Sequence, residues 1–383
     1  MGDGQTYELP PPTMALPLIL STLLLITPFT ASASHLDHDL IGRSSDRVPK
    51  ITINSVHGDR NYSAPYFPLI GFKNYSGNPI LRPNPANEWE SAYTYNPTAI
   101  VVDDFVFLLY RAQNKAKKSS IGLAWSKDGY NFKRYDRPVL KPTEPYEKGG
   151  GCEDPRVIRV NGTFYMTYTS YDGRTARLCM ATSTDLINWK KHGPILPNIN
   201  DILYEWGRHV NAYRPRTGWS KSGSILDEKM PDGSYHMIFG DQMLYHATSK
   251  DLIHWDYRAN NLPFAPKLNP WEQGIMEAGP PAIKTRDGKW ILIYNGMATG
   301  PGGYRPRQYS TGEMLIDPVK RPAGPPIARV ETPLLTPTSS DELNGQVKDV
   351  VFTEGLVQYH GKWFMYFGQG DTSLGVATTP VQD

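Results

Sequence analysis

SKDGYNF at residues 126–132, STDLINW at 183–189 and SKDLIHW at 249–255 are three copies of one phrase. In each, Ser is followed two residues on by Asp, and an aromatic ring stands four residues after that Asp. Each copy follows a short apolar run ending in Ala: IGLA (121–124), LCMA (178–181) and LYHA (244–247). Asp128, Asp185 and Asp251 lie 57 and 66 residues apart. The phrase predicts a tight turn in which Ser and Asp side chains hydrogen-bond the local backbone while the ring folds back over a sheet.

Upstream of each copy stands a second signature with strand alternation: DDFVFLLYR (103–111), GTFYMTYTS (162–170) and GSYHMIFGD (233–241). Two more follow at GKWILIYNG (288–296) and GKWFMYFGQ (361–369), the last leading into SLGVA (373–377). Five such hairpins between Asn96 and Asp383 give about 58 residues each, which suits a four-stranded blade. Solenoid repeats of this length are usually helical, so the reading is all-β, a five-bladed β-propeller over residues 91–383. Composition agrees: 34 Gly and 34 Pro break long helices, and 39% hydrophobic residues suffice for a core. A formal charge of +2 without Lys/Arg runs argues against a nucleic-acid partner.

Residues 34–90 read as a polar, Pro-rich leader packing on the propeller. Ahead of it, the apolar run ALPLILSTLLLI (15–26) and Ala31-Ser-Ala33 read as a secretory signal spanning residues 1–33, with Met14 as a possible start. The expectation is a secreted protein with no integral membrane domain after cleavage; an uncleaved membrane anchor is the alternative. The sequons at Asn61, Asn74 and Asn161 add weak support. Cys152 and Cys179 either pair or stay as buried thiols, and no spacing suggests a metal site or a cofactor.

In a propeller the innermost strand of each blade lines the central channel. Those strands are expected to begin at Asn96, Asp154, Lys221, Glu277 and Asp349, each a polar residue ahead of an apolar run. Five polar groups then ring one mouth of the channel. Inverting glycoside hydrolysis needs a carboxylic acid and a carboxylate base roughly 6.5–9.5 Å apart, a gap that opposed blades can supply. Asp154, in GGGCEDPRV, is the first candidate. Glu153 beside it raises its pKa and Arg156 lowers it, so its protonation state stays open. By itself Asp154 reads more simply as a turn cap before Pro155.

GCEDPRV, YMTYTSYDG, ATSTDLINW, LLYRA (108–112), EAGPPAI (277–283), LIYNGM (292–297) and VVFTEGLV (350–357), in order over about 290 residues, resemble glycoside hydrolase family 130, the β-mannoside phosphorylases and β-mannosidases. The resemblance implies a five-bladed propeller, an inverting reaction on mannose-containing oligosaccharides, and Asp154 as proton donor through a sugar hydroxyl. It implies Arg111 at the mannose, with Asn96, Arg156, Asn295 and Asp371 as further sugar contacts. Where phosphorylases of the family carry basic groups, this chain has Phe239-Gly240-Asp241, Asn295 and Met276-Glu277-Ala278-Gly279. That favours water as nucleophile with Glu277 or Asp241 as base. The alternative is phosphorolysis, with Lys221, Arg208, Arg214 and Arg216 around inorganic phosphate. A glycan-binding propeller without catalysis and an arabinan-type glycosidase are further readings. Trp206, Trp219, Trp271, Tyr204 and Tyr213 are expected in loops between blades, where rings could pack on sugars.

Overall fold

The computed structural model describes residues 47–197, 199, 202–205, 213–257 and 263–382, without the side chains of 202–205 and 213–215. The proposed signal segment, Trp206 and Arg208 lie outside the described residues, as do the side chains of Tyr204, Tyr213 and Arg214.

The described chain is all-β, and its α-helix is the single turn Ser340–Leu343. The signatures read from sequence form the middle strands of antiparallel meanders. Tyr93–Val102, Phe105–Gln113, Ser119–Ser126 and Lys133–Arg134 pair in that order. Gly151–Val160, Thr163–Tyr171, Ala176–Ser183 and Lys190–Pro194 form the next group, joined to the first by one parallel bridge, Ser119 to Gly151. Ser224–Ile225 through Trp255–Tyr257 make a four-stranded sheet, and Ile275–Ala278 through Ala328–Arg329 make a five-stranded one. The last sheet takes Val351–Tyr359, Lys362–Gln369 and Ser373–Pro380 from the C-terminal end and its fourth strand, Lys73–Asn74, from the leader.

The repeated Ser–Asp turns are built as the side-chain chemistry requires. Ser183 Oγ accepts from the amides of Asp185 and Leu186 at 3.1 and 3.0 Å, and Asp185 Oδ1 accepts from Ile187 and Asn188 at 2.9 and 2.8 Å. Trp189 Nε1 then donates to Leu186 O at 2.9 Å, holding the ring down. Ser126/Asp128 and Ser249/Asp251 repeat the amide pattern.

A second repeat escaped the sequence reading. Buried Glu90, Glu147 and Glu272 sit in short 3-10 turns, and each accepts from a tyrosine of a middle strand and from a basic side chain. Tyr110 and Arg134 reach Glu90 at 2.9 and 3.1 Å, and Tyr168 and Lys191 reach Glu147 at 2.8 and 2.6 Å. Tyr294 and Arg329 hold Glu272 in the same way.

The core lies between successive sheets. Phe107, Leu109 and Leu123 pack with Val157, Phe164 and Met166; Leu178 and Met180 pack with Met237 and Phe239; Ile238 and Leu244 pack with Trp290 and Leu292. Ile291 and Ile293 then meet Val351, Met365 and Phe367. Finally Phe364, Tyr366 and Val376 pack against Val101, Val106 and Leu108 of the first sheet. Trp271, expected in a sugar-contacting loop, is fully buried in this core and stacks on Tyr294 with ring centroids 5.3 Å apart. Cys152 and Cys179 are separate buried thiols.

Candidate active site

The polar residues at the starts of the inner strands come together through local backbone distortions. Register shifts interrupt pairing between Tyr95 and Pro97, between Glu153 and Arg156, and between Thr353 and Gly355. Asn96, Asp154 and Ser222 have φ of 50°, 51° and 56°. Such angles in non-glycine residues are uncommon and re-aim side chains out of the sheet. The glycine run before Asp154 allows close approach: a Cβ on Gly151 would lie 2.1 Å from Ser119 O.

Asp154, 2% exposed, is the centre of the cluster. Its Oδ1 accepts from Asn96 Nδ2 at 2.7 Å and Arg111 Nη1 at 2.9 Å, and its Oδ2 lies 3.1 Å from Lys221 Nζ. Arg111 also donates to Glu153 at 2.7 Å and to Ser119 Oγ at 3.0 Å, with its guanidinium 4.7 Å from the Tyr95 ring centroid. Glu277 is 7% exposed and accepts a hydrogen bond from Ser222 Oγ. Asp241 accepts from Trp219 Nε1 at 2.9 Å and Arg216 Nη1 at 3.3 Å, while its buried Oδ1 has no hydrogen-bond partner.

Electrostatics now answers what the sequence left open. Burial alone would raise the Asp154 pKa, but Lys221, then Arg111 and Arg156, outweigh it and hold the carboxyl well below the usual range. Glu277 goes the other way. Burial, helped by Asp241 and Asp154, pushes it up to about 7 against the pull of Lys221. Burial lowers Lys221 less than Asp154, Glu277, Glu153 and Asp241 raise it, so it stays a cation. Asp371 is pushed up to about 6, chiefly by burial. Of these two carboxyls Glu277, not Asp154, is therefore the one favoured to hold a proton, whereas the resemblance implied Asp154 as the donor.

Three expected positions serve other purposes. Asn295 is buried between two sheets, donating to Thr353 O at 2.9 Å and accepting from Thr353 N at 2.8 Å, so its amide is already used and does not face a sugar. Arg156 is buried too, with its donors on Gly279 O, Ala278 O, Asp154 O and Glu354. Asp349 pairs with Arg305 at 2.7 Å and is not in the cluster. Its expected place belongs to Glu354, 3.3 Å from Asn96 Nδ2. The signal for Glu354 was a polar residue followed by Pro or Gly, shared with Asn96-Pro97 and Asp154-Pro155. Ser222 and Tyr309, whose phenol is pushed up by burial, Glu277 and Asp371, carried no sequence signal.

Residues 73–383 match the family described as β-1,4-mannooligosaccharide phosphorylase. The chain belongs to glycoside hydrolase family 130. A 1,2-β-oligomannan phosphorylase of Thermoanaerobacter sp. (strain X514) is 33% identical over 329 residues, covering 82% of this chain and 99% of the relative. A β-1,2-mannobiose phosphorylase of the same organism is 36% identical over 79% of this chain and 95% of its own. A solved structure, reported as showing that this family of mannoside phosphorylases contains glycoside hydrolases that target β-1,2 mannosidic linkages in Candida mannan, is 33% identical with a TM-score of 0.71, covering 84% of this chain and 99% of its own. Family 130 membership makes this chain an enzyme acting on mannosides.

Proposed function

We propose that the chain cleaves β-1,2-mannosidic bonds with inversion, using water as nucleophile and Asp154 and Glu277 as its paired carboxyls. One observation carries the choice of water. Glu153, Asp154, Asp241 and Glu277 act together on Lys221, and Arg111, Lys221 and Arg216, three of the described cations at this cluster, are each already paired with a carboxylate. Phosphate would meet cations whose charge these carboxylates already balance, and would lie close to the carboxylates themselves. Like charges about 4 Å apart cost roughly 1 kcal/mol in water and about four times that near a protein surface. Phosphorolysis is the second reading, and the comparisons favour it: the family description and both curated relatives name phosphorylases. Those relatives also supply the 1,2 linkage.

In this reading the pair shares one proton near neutrality. Sugar hydroxyls engaging Lys221 and Arg111 weaken the field that keeps Asp154 ionised, so the proton passes to Asp154 and thence to the leaving oxygen. Glu277, then a carboxylate, takes the proton of the attacking water. In this reading Tyr309 and Asp371, which interact with Glu277 and Asp154 respectively, meet the sugar.

We further infer that the sheets close as five blades. In support, the first and last sheets share a core, and a cavity of about 510 Å³ is lined, together with Trp363 and leader residues from His57 to Ala64, by the segments Ala99–Val101, Val157–Arg159, Asp227–Glu228, Pro281–Thr285 and Leu356–Gln358. These segments lie a few residues beyond the clustered strand starts, as the second mouth of a five-stranded channel would require. Export is part of the proposal on the strength of the apolar N-terminal run alone. The deciding experiment incubates the chain with β-1,2- and β-1,4-mannobiose, with and without phosphate. Mannose formed equally in both buffers supports the reading; mannose 1-phosphate formed only with phosphate replaces it with phosphorolysis.

A further inference from the structure

Arg156 touches both sides of the proposed reacting pair. Its Nη1 donates to Asp154 O at 3.1 Å, while Nε and Nη2 donate to Gly279 O and Ala278 O, both at 2.7 Å. Those two carbonyls directly follow Glu277. One rigid, planar guanidinium thus ties the backbone of the Asp154 strand to the backbone of the Glu277 strand.

Glu354 completes the arrangement from a third strand. Its Oε1 accepts from Arg156 Nη2 at 2.9 Å and from Asn96 Nδ2 at 3.3 Å. The same Asn96 nitrogen makes the 2.7 Å bond to Asp154 Oδ1. Glu354 therefore reaches Asp154 by two routes, through Arg156 to its main chain and through Asn96 to its carboxylate. Neither Arg156 nor Glu354 is open to substrate, at 1% and 0% side-chain exposure. A fully buried ion pair is a poor source of net stability, because desolvation offsets its attraction. Glu354 Oε2 has no hydrogen-bond partner, which makes the pair costlier still.

We propose that Arg156 and Glu354 are positioning residues that fix the distance and aim of Asp154 relative to Glu277. The inference rests on those two carboxyls being the reacting pair. Its consequence is geometric: a displacement of about 1 Å in such a pair costs on the order of 100-fold in turnover. Burial, against the opposing pull of Arg156, pushes the Glu354 carboxyl well above the usual range. That shift favours the neutral form, for which glutamine is the near match in shape, whereas aspartate withdraws the group by one methylene.

The test compares Glu354→Gln, Glu354→Asp and Arg156→Lys, each assayed at a temperature where near-UV circular dichroism shows it folded. Glu354→Gln keeps kcat within about threefold, while Glu354→Asp and Arg156→Lys lose about 100-fold in kcat with KM within about threefold. The high-pH limb of kcat also moves in Glu354→Asp, because the coupling between Asp154 and Glu277 depends on their separation. Should Arg156→Lys not fold, the smaller Glu354→Asp change decides the matter. Folded variants with normal kcat and an unmoved pH limb overturn the proposal, as does a KM that rises in step with the loss of kcat. Asp154→Asn and Glu277→Gln are run alongside. If they are inactive while Glu354→Asp is normal, only the positioning role fails; if they stay active, the assignment of the reacting pair fails.

Discussion

Replacing Glu277 with glutamine should abolish turnover and at the same time make the protein more stable above neutral pH. The carboxyl is pushed from its ordinary value of 4.5 up to about 7. A group whose folded pKa is raised contributes fully below its unfolded pKa and loses that contribution as pH rises through the folded value. Between pH 4.5 and 8 the wild-type chain therefore gives up about 3 kcal/mol at this position, at 1.36 kcal/mol per pH unit. Glutamine carries no charge to desolvate and can still accept from Ser222 Oγ. With an unfolding entropy of about 0.7 kcal/mol/K for a chain of this size, the gain is about 4–5 °C in Tm. The assay is thermal unfolding of both proteins at pH 4.5 and pH 8, with mannobiose hydrolysis measured on the same samples. Equal Tm at pH 4.5 and a higher Tm for the variant at pH 8 are expected. A variant no more stable at pH 8, or equally favoured at both pH values, refutes the electrostatic account of Glu277.

Asp154→Asn should lower turnover of an unactivated mannoside by about 10²–10⁴-fold, the usual worth of general acid catalysis, with the fold retained by circular dichroism. The pH profile of kcat/KM should fall as pH rises through about 7, where the pair loses its single proton. It should show no acid limb from Asp154 in the usual carboxylate range, because Lys221 and Arg111 hold that group lower. A profile that rises through pH 7 contradicts the shared proton. Expression with the whole N-terminus should yield a mature chain beginning at Ser34, read by intact mass, since Ala31-Ser-Ala33 precedes it; an uncleaved chain in the membrane fraction points to an anchor.

Much of the all-β organisation was legible because the turn chemistry repeats. Ser and Asp two residues apart make the same amide bonds wherever they occur, and the strands before them alternate with the sheet period. Asp154 and Arg111 were legible through motif order, and the structure joins them at 2.9 Å. The protonation of Asp154 was not legible, because Lys221 and Arg111 approach from other strands and sequence proximity says nothing of them. Arg156 looked like a sugar contact from its place beside Asp154, yet its partners are carbonyls some 120 residues away at Ala278 and Gly279. Asn295 failed for a related reason: an amide can hydrogen-bond a sugar or a neighbouring strand equally well, and only the packing of Thr353 decides. Asp349 and Glu354, five residues apart, compete for one strand start, and the bulge at Thr353/Gly355 selects Glu354.

Water, not phosphate, is the nucleophile proposed to attack the anomeric carbon, with inversion. Proton NMR of the first minutes of β-1,2-mannobiose cleavage in phosphate-free buffer tests both parts at once. Growth of the α-mannose anomeric signal ahead of its mutarotation equilibrium is the result expected from Asp154 and Glu277 acting on opposite faces of the bond. Silence in that buffer, with α-mannose 1-phosphate appearing once phosphate is added, contradicts it.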